Sequence, residues 1–85
     1  MRWIRTQDEL PELKHINEAG NMKNSDDVLV YRDGEYHVAY LLEDVDADEL
    51  IWVCPDLLVE IEIDRIQCWA PIAPPPKECL GDDVL

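Results

Sequence analysis

Two runs of β-favouring residues flank Asp33-Gly34: Val28-Leu29-Val30-Tyr31 before it, and Tyr36-His37-Val38-Ala39-Tyr40-Leu41 after it. Asp-Gly suits a two-residue type I′ turn, in which both central residues need positive φ, so the pattern predicts a β-hairpin over 28–41. With that loop, Arg32 faces Glu35, Tyr31 faces Tyr36, Val30 faces His37 and Leu29 faces Val38. Side chains alternate across a strand. Leu29, Tyr31, Tyr36, Val38 and Tyr40 therefore share one face, while Val28, Val30, Arg32, Glu35, His37, Ala39 and Leu41 share the other. The first is the expected core face, which leaves His37 outside.

Further along, Leu50-Ile51-Trp52-Val53 reads as a third strand stopped by Pro55. Glu43–Glu49 between them reads as a solvated acidic loop. Val59-Glu60-Ile61-Glu62-Ile63-Asp64 alternates strictly, the mark of a half-buried strand with a carboxylate face. Ile66–Trp69 is expected to continue it or pair back with it. Pro71, Pro74, Pro75 and Pro76 argue against regular structure and for a polyproline-like tail. Asp8–Ile16 could form a short helix with Pro11 in its first turn. The fold class expected is mainly β, a small antiparallel sheet around the 28–41 hairpin, with an α+β variant carrying one short N-terminal helix as the alternative. One domain is expected over 1–76, with a loose tail over 77–85. In the absence of Phe, Trp3, Trp52 and Trp69 are expected to supply the bulk of the core.

Charge changes the picture. The chain has 85 residues and a formal net charge of −13, and a core of this size is marginal. Residues 1–23 balance Arg2, Arg5, Lys14 and Lys23 against Asp8, Glu9, Glu12 and Glu18, so the whole excess lies after Lys23. An acidic surface repels nucleic acid and attracts basic proteins. Glu60, Glu62 and Asp64 on one strand would stand about 6.6 Å apart, at twice the rise per residue. Such a row can imitate a phosphate backbone. Together with Glu43, Asp44, Asp46, Asp48 and Glu49, and with Asp26-Asp27 nearby, it makes the expected partner-binding stripe. The plainer alternative is an ordinary solvent face that only confers solubility.

Little else points to chemistry. Asp44-x-Asp46-x-Asp48 opens like a calcium loop, but Glu49 and Pro55 stand where that loop needs Gly and a bidentate Glu. Cys54, Cys68 and Cys79 are too widely spaced for zinc pairs, and His15 and His37 lie far upstream. Three cysteines without a C-x-x-C fit free thiols in a reducing cytosol. The first residues carry charge where a signal peptide needs an apolar stretch, and no run approaches a membrane span. No nucleophile, metalloprotease or phosphate-loop motif occurs. No enzyme, cofactor or metal is expected. Pro71-Ile72-Ala73-Pro74 meets the bare P-x-x-P spacing, though such a segment more often lies against its own domain, on Trp69 or Trp3.

Trp3-Ile4, Leu10-Pro11, Val28-Leu29-Val30-Tyr31, Asp33-Gly34, Trp69-x-Pro71-Ile72 and Pro74-Pro75-Pro76-Lys77-Glu78 together resemble a family of short phage and prophage proteins. That family is known only as a domain of unknown function, with the pattern W-I … L-P … V-L-V-Y … D-G … H-W-M-P-L-P-x-P-P. The resemblance covers nearly the whole chain. Cys68 stands in place of the family's His, and Ala73 in place of a proline. The resemblance implies a phage or bacterial origin and a compact β-rich fold; it brings no catalytic residues. The expected role is an accessory protein, acting in the cytoplasm of a host bacterium. It would bind and block a host protein with a basic surface, such as a nucleic-acid-binding CRISPR or restriction complex, with no direct nucleic-acid or membrane contact. The alternative is an assembly module that forms a homodimer.

Overall fold

In the structure, a computed structural model that describes residues 2–73, the chain is mainly β. Its strands run β1 (Ile4–Arg5), β2 (His15–Ile16), β3 (Met22–Asn24), β4 (Val28–Arg32), β5 (Glu35–Asp44), β6 (Glu49–Cys54), β7 (Val59–Glu62) and β8 (Cys68–Pro71). All pairings are antiparallel. Asp33 and Gly34 adopt φ of 52° and 82°, and the β4–β5 register, Arg32 with Glu35 through Leu29 with Val38, is the one their turn dictates.

The ten-residue β5 organises the sheet. Its first half pairs with β4, which pairs with β8, which pairs with β1. Its second half lies between β3 on one edge and β6 on the other, with β2 beyond β3 and β7 beyond β6. β3 and β4 thus follow one another along a single edge of β5, with a β-bulge between them. Asn24 faces Leu42 and Val28 faces Ala39, so three residues oppose two. Such an insertion bends and twists the strand that carries it. Ser25, buried in the bulge, repairs the ladder. Its backbone N–H donates to the Leu41 carbonyl, and its hydroxyl accepts from the Leu41 N–H, both at 2.9 Å.

The bend lets the inner faces of both halves close on one core of Val28, Val30, Ala39, Leu41, Trp52, Cys54, Ile61, Ile66 and Trp69. This reverses the expected orientation of the hairpin. Val28, Val30, Ala39 and Leu41 point in, and Tyr31, Tyr36 and Val38 are exposed. The compact aliphatic side chains fit between the two large indoles of Trp52 and Trp69, where three tyrosines would overfill the space. His37 accordingly lies on the inner face opposite Val30, half-buried at its margin, and not outside. Trp3 is no core residue either; it is 39% exposed.

Other expectations shift for local reasons. Glu43 and Asp44 are strand, and Glu49 begins the next one, so the acidic loop shrinks to the turn Val45–Asp48. The alternating strand stops at Glu62, and Asp64 sits in a 3-10 turn over Ile63–Arg65. The segment after it pairs with neither of the sheet strands nearest in sequence: β8 goes to β4 and β1. Pro71 closes β8 at its last position, where a missing N–H is tolerated. No helix forms over 8–16; after a turn at Arg5–Asp8 the chain has no regular element until β2, with Leu10 and Leu13 against the core. The Trp69 indole N–H donates to the Glu9 carbonyl at 2.8 Å and holds this segment down. The Trp52 indole N–H, by contrast, is buried without an acceptor. No helix among the described residues is long and apolar enough to cross a membrane. The proline run 74–76 and the tail 77–85, with Cys79, lie outside the described residues.

Candidate functional site

Trp52 and Cys54 turn into the core, so Glu49, Ile51 and Val53 of β6 must turn out. Residues opposite one another in an antiparallel pair project to the same side. Ile51 faces Glu62, Val53 faces Glu60, and Asp44 faces Glu49. Four carboxylates (Asp44, Glu49, Glu60 and Glu62) therefore share the outer face of this half of the sheet, around Ile51 and Val53. Ile61, between the two glutamates of β7, is buried, as the alternation requires.

Asp64 joins them by another route. The 3-10 turn takes it off the strand, yet it lines a groove of about 470 Å³ together with Glu49, Glu62, Leu50, Ile51 and Ile63. The remaining three of the eight expected carboxylates are placed differently. Glu43 alternates with Leu41 onto the inner side and faces Lys23 and Leu50 across its neighbours. Asp46 and Asp48 sit in the β5–β6 turn, where Asp46 accepts from Asn21 Nδ2 at 3.5 Å and Asp48 adopts φ of 54°. Asp44 also has a local task, since its Oδ1 accepts the Ala47 N–H at 3.2 Å.

Among the described residues only Asp26 and Asp33, of all the carboxylates, have a basic partner. Among the described residues the ion pairs are Lys14 and His15 with Asp26, and Arg32 with Asp33. None of the eight carboxylates takes part in one. Asp26, expected to extend the stripe, is already engaged: His15 Nε2 lies 2.6 Å and Lys14 Nζ 3.0 Å from its oxygens. Those hydrogen bonds, the one to His15 foremost, hold its carboxyl below the ordinary value of 3.8.

Carboxylates fixed on strands accept hydrogen bonds and attract cations. No group of three or more His, Cys, Asp or Glu among the described residues is arranged to hold a metal ion. Cys54 is buried and Cys68 half-buried. What the face can do is offer lysine and arginine side chains carboxylates that no ion pair among the described residues engages, although Arg32 and Arg65 line the groove beside Glu60 and Glu62.

A second surface escaped the sequence reading because its residues were assigned to the core. Trp3, Tyr31 and Tyr36 form a ring cluster on the outer face of the other half, with centroids 6.0 Å apart for Trp3–Tyr36 and 5.0 Å for Tyr31–Tyr36. The signal that could have revealed it is the grouping of compact aliphatic residues, Val28 and Val30 with Ala39 and Leu41, at the end of the opposite hairpin face away from the turn.

No family model matches this chain, and no curated protein or solved structure matches it either.

Proposed function

We propose that this protein is a phage or prophage accessory product that binds and inhibits a host protein through the outer face of its acidic half. The observation that carries the reading is the set of four carboxylates (Asp44, Glu49, Glu60 and Glu62) on one side of the sheet, with Asp64 in the groove beside them and, among the described residues, no cation in an ion pair with any of the five. The resemblance of the chain's Trp, Leu-Pro and Asp-Gly anchors to short phage proteins supplies the setting, the cytoplasm of an infected bacterium.

The target class follows from the charge. A row of carboxylates at strand spacing presents a basic groove with the anions it otherwise takes from a phosphate backbone. A nucleic-acid-binding defence complex, of the CRISPR or restriction kind, offers such a groove. Occupying it excludes nucleic acid by competition and needs no catalysis. Charged complementarity of this kind raises the association rate and makes the complex sensitive to salt.

The test is capture from host lysate on immobilised protein at low salt. Wild type is expected to retain a basic, nucleic-acid-binding protein, released as salt is raised. The triple variant Glu60→Lys, Glu62→Lys, Asp64→Lys is expected to retain none of it. Retention of nothing basic by the wild type, or equal retention by the triple variant, sinks the proposal.

A further inference from the structure

We infer that the groove between the end of β1 and the Ile63–Arg65 turn binds a small zwitterion, an α-amino acid with an aliphatic side chain. Arg5 holds its carboxylate and Asp64 its ammonium. The inference concerns a different site from the acidic face and does not rest on the docking role above, although Asp64 borders both.

The backbone builds the groove. Past the Arg5–Cys68 pair that ends β1, the Thr6 N–H still donates to the Gln67 carbonyl at 2.8 Å. The 3-10 turn, meanwhile, carries Ile63 and Asp64 off β7. Between the two lies a space of about 630 Å³, lined among others by Arg5, Thr6, Ile63, Asp64, Ile66 and Gln67. That volume falls in the range of small-molecule sites.

The polar groups of the groove are not spent on one another. Arg5 and Asp64 both line it, yet neither takes part in an ion pair among the described residues. Thr6 is the second sign. It is 8% exposed, and its hydroxyl is buried with no hydrogen-bond partner among the described residues. Such a group is costly to a fold, and native structures leave few of them. The other one here, the Trp52 indole, is packed in the core, whereas Thr6 borders an open space. A molecule seated in the groove supplies the missing partner after no more than a change of Thr6 rotamer.

Charge selects the ligand. A free anion at Arg5 is opposed by Asp64 and by a net charge of −13. A simple cation at Asp64 meets the Arg5 guanidinium in the same groove. A zwitterion has no net charge to be repelled and sets one end against each group. The guanidinium fork matches a carboxylate with two parallel hydrogen bonds, and the Asp64 oxygens accept from an ammonium. Ile63 and the buried Ile66 take an aliphatic side chain out of water.

The test is a titration of the full chain with L-leucine, followed through the backbone amides in a heteronuclear NMR spectrum. Saturable shifts are expected at Thr6, Ile66 and Gln67, with a Kd of about 1 mM, ordinary for so small a ligand. N-acetyl-L-leucine lacks the ammonium and L-leucinamide the carboxylate; each is expected to bind about tenfold more weakly or worse. Arg5→Gln should weaken leucine binding by about the same factor. Thr6→Val keeps the shape and removes the unpaired hydroxyl. It is expected to melt no lower than wild type while its affinity for leucine falls.

Absence of saturable shifts at these amides overturns the inference, as does an Arg5→Gln variant that binds leucine like wild type, or a Thr6→Val variant that melts lower and binds it unchanged. Leucinamide binding as tightly as leucine overturns it too and assigns the groove to a peptide N-terminus. The two proposals fail separately. Arg5→Gln leaves every carboxylate of the acidic face in place, and Glu60→Lys with Glu62→Lys leaves the groove untouched.

Discussion

On the outer side of the aromatic half stand Trp3, Tyr31, Tyr36 and a single strand charge, Arg5. On the same side of the acidic half, further along the same continuous sheet, stand Asp44, Glu49, Glu60 and Glu62. The inner sides do not differ in this way: each contributes one buried indole, Trp69 in the first and Trp52 in the second, to a common core. Because alternation separates inner from outer positions, the exterior of a strand can change from rings to carboxylates without altering what the core receives. The comparison teaches that surface chemistry here is set half by half, while the packing is shared.

Removing an indole is the most severe way to break that sharing. Trp69→Ala or Trp52→Ala is expected to cost about 3–5 kcal/mol, a large fraction of the stability of a small domain. Urea denaturation should show both variants largely unfolded; a variant melting like wild type would mean that its half does not depend on the common core. Next, Ser25→Ala leaves the Leu41 N–H without its partner at the bulge where the halves meet. The expected loss is about 1–3 kcal/mol, and a change within error of zero would show that the bulge does not hold the junction.

The two indoles can also be told apart. Trp69→Phe gives up the hydrogen bond to the Glu9 carbonyl, whereas Trp52→Phe gives up none, since that N–H has no acceptor. Trp69→Phe should therefore be the more destabilising by about 1 kcal/mol; equal melting curves would remove the tether from the account. In the acidic half, Leu58 is 91% exposed and held at φ of 54° to close the Pro55–Leu57 turn. Leu58→Gly removes the steric cost of that conformation and is expected to stabilise by up to about 1 kcal/mol. Destabilisation on chemical denaturation would show that the leucine packs on something of value.

How much of this could be read in advance depends on the range of each cause. The hairpin was legible because Asp33-Gly34 imposes its own φ values, and Glu60 and Glu62 were legible because Val59–Glu62 alternates. Both are local facts. Which hairpin face turns inward is not local. It depends on Trp52 and Trp69 arriving from elsewhere, and alternation says only which residues travel together. The pairing of Cys68–Pro71 with β4 and β1 was hidden for the same reason. Glu43 was misplaced because 43–49 was read as a loop; once β5 is known to run on to Asp44, parity with Leu41 places Glu43 inside. The aromatic cluster was invisible for as long as its members were counted as core.

The smallest expected effect concerns Asp26, outside both faces. Its carboxyl is lowered by His15 and Lys14, so its contribution to stability is complete above its unfolded value and is lost as pH falls through the lower folded one. Lys14 is raised in turn by Asp26, so its contribution is complete below its ordinary 10.5 and is lost only as pH rises through the higher folded value. Both groups are exposed, and the pair is correspondingly weak. Asp26→Asn should slightly flatten the acid limb of a plot of melting temperature against pH and leave neutral stability nearly unchanged. A large drop at neutral pH would show that Asp26 does more than pair with its two neighbours.

Since Glu35–Asp44 is a member of both hydrogen-bonded ladders, neither half can come apart while the other stays whole. Opening the aromatic side strips one edge of β5 and exposes Trp52 through the core it shares with Trp69; opening the acidic side does the reverse. The molecule is therefore built to unfold in a single all-or-none step, with the amides of Ala39 and Leu41 exchanging with solvent no faster than the whole chain denatures.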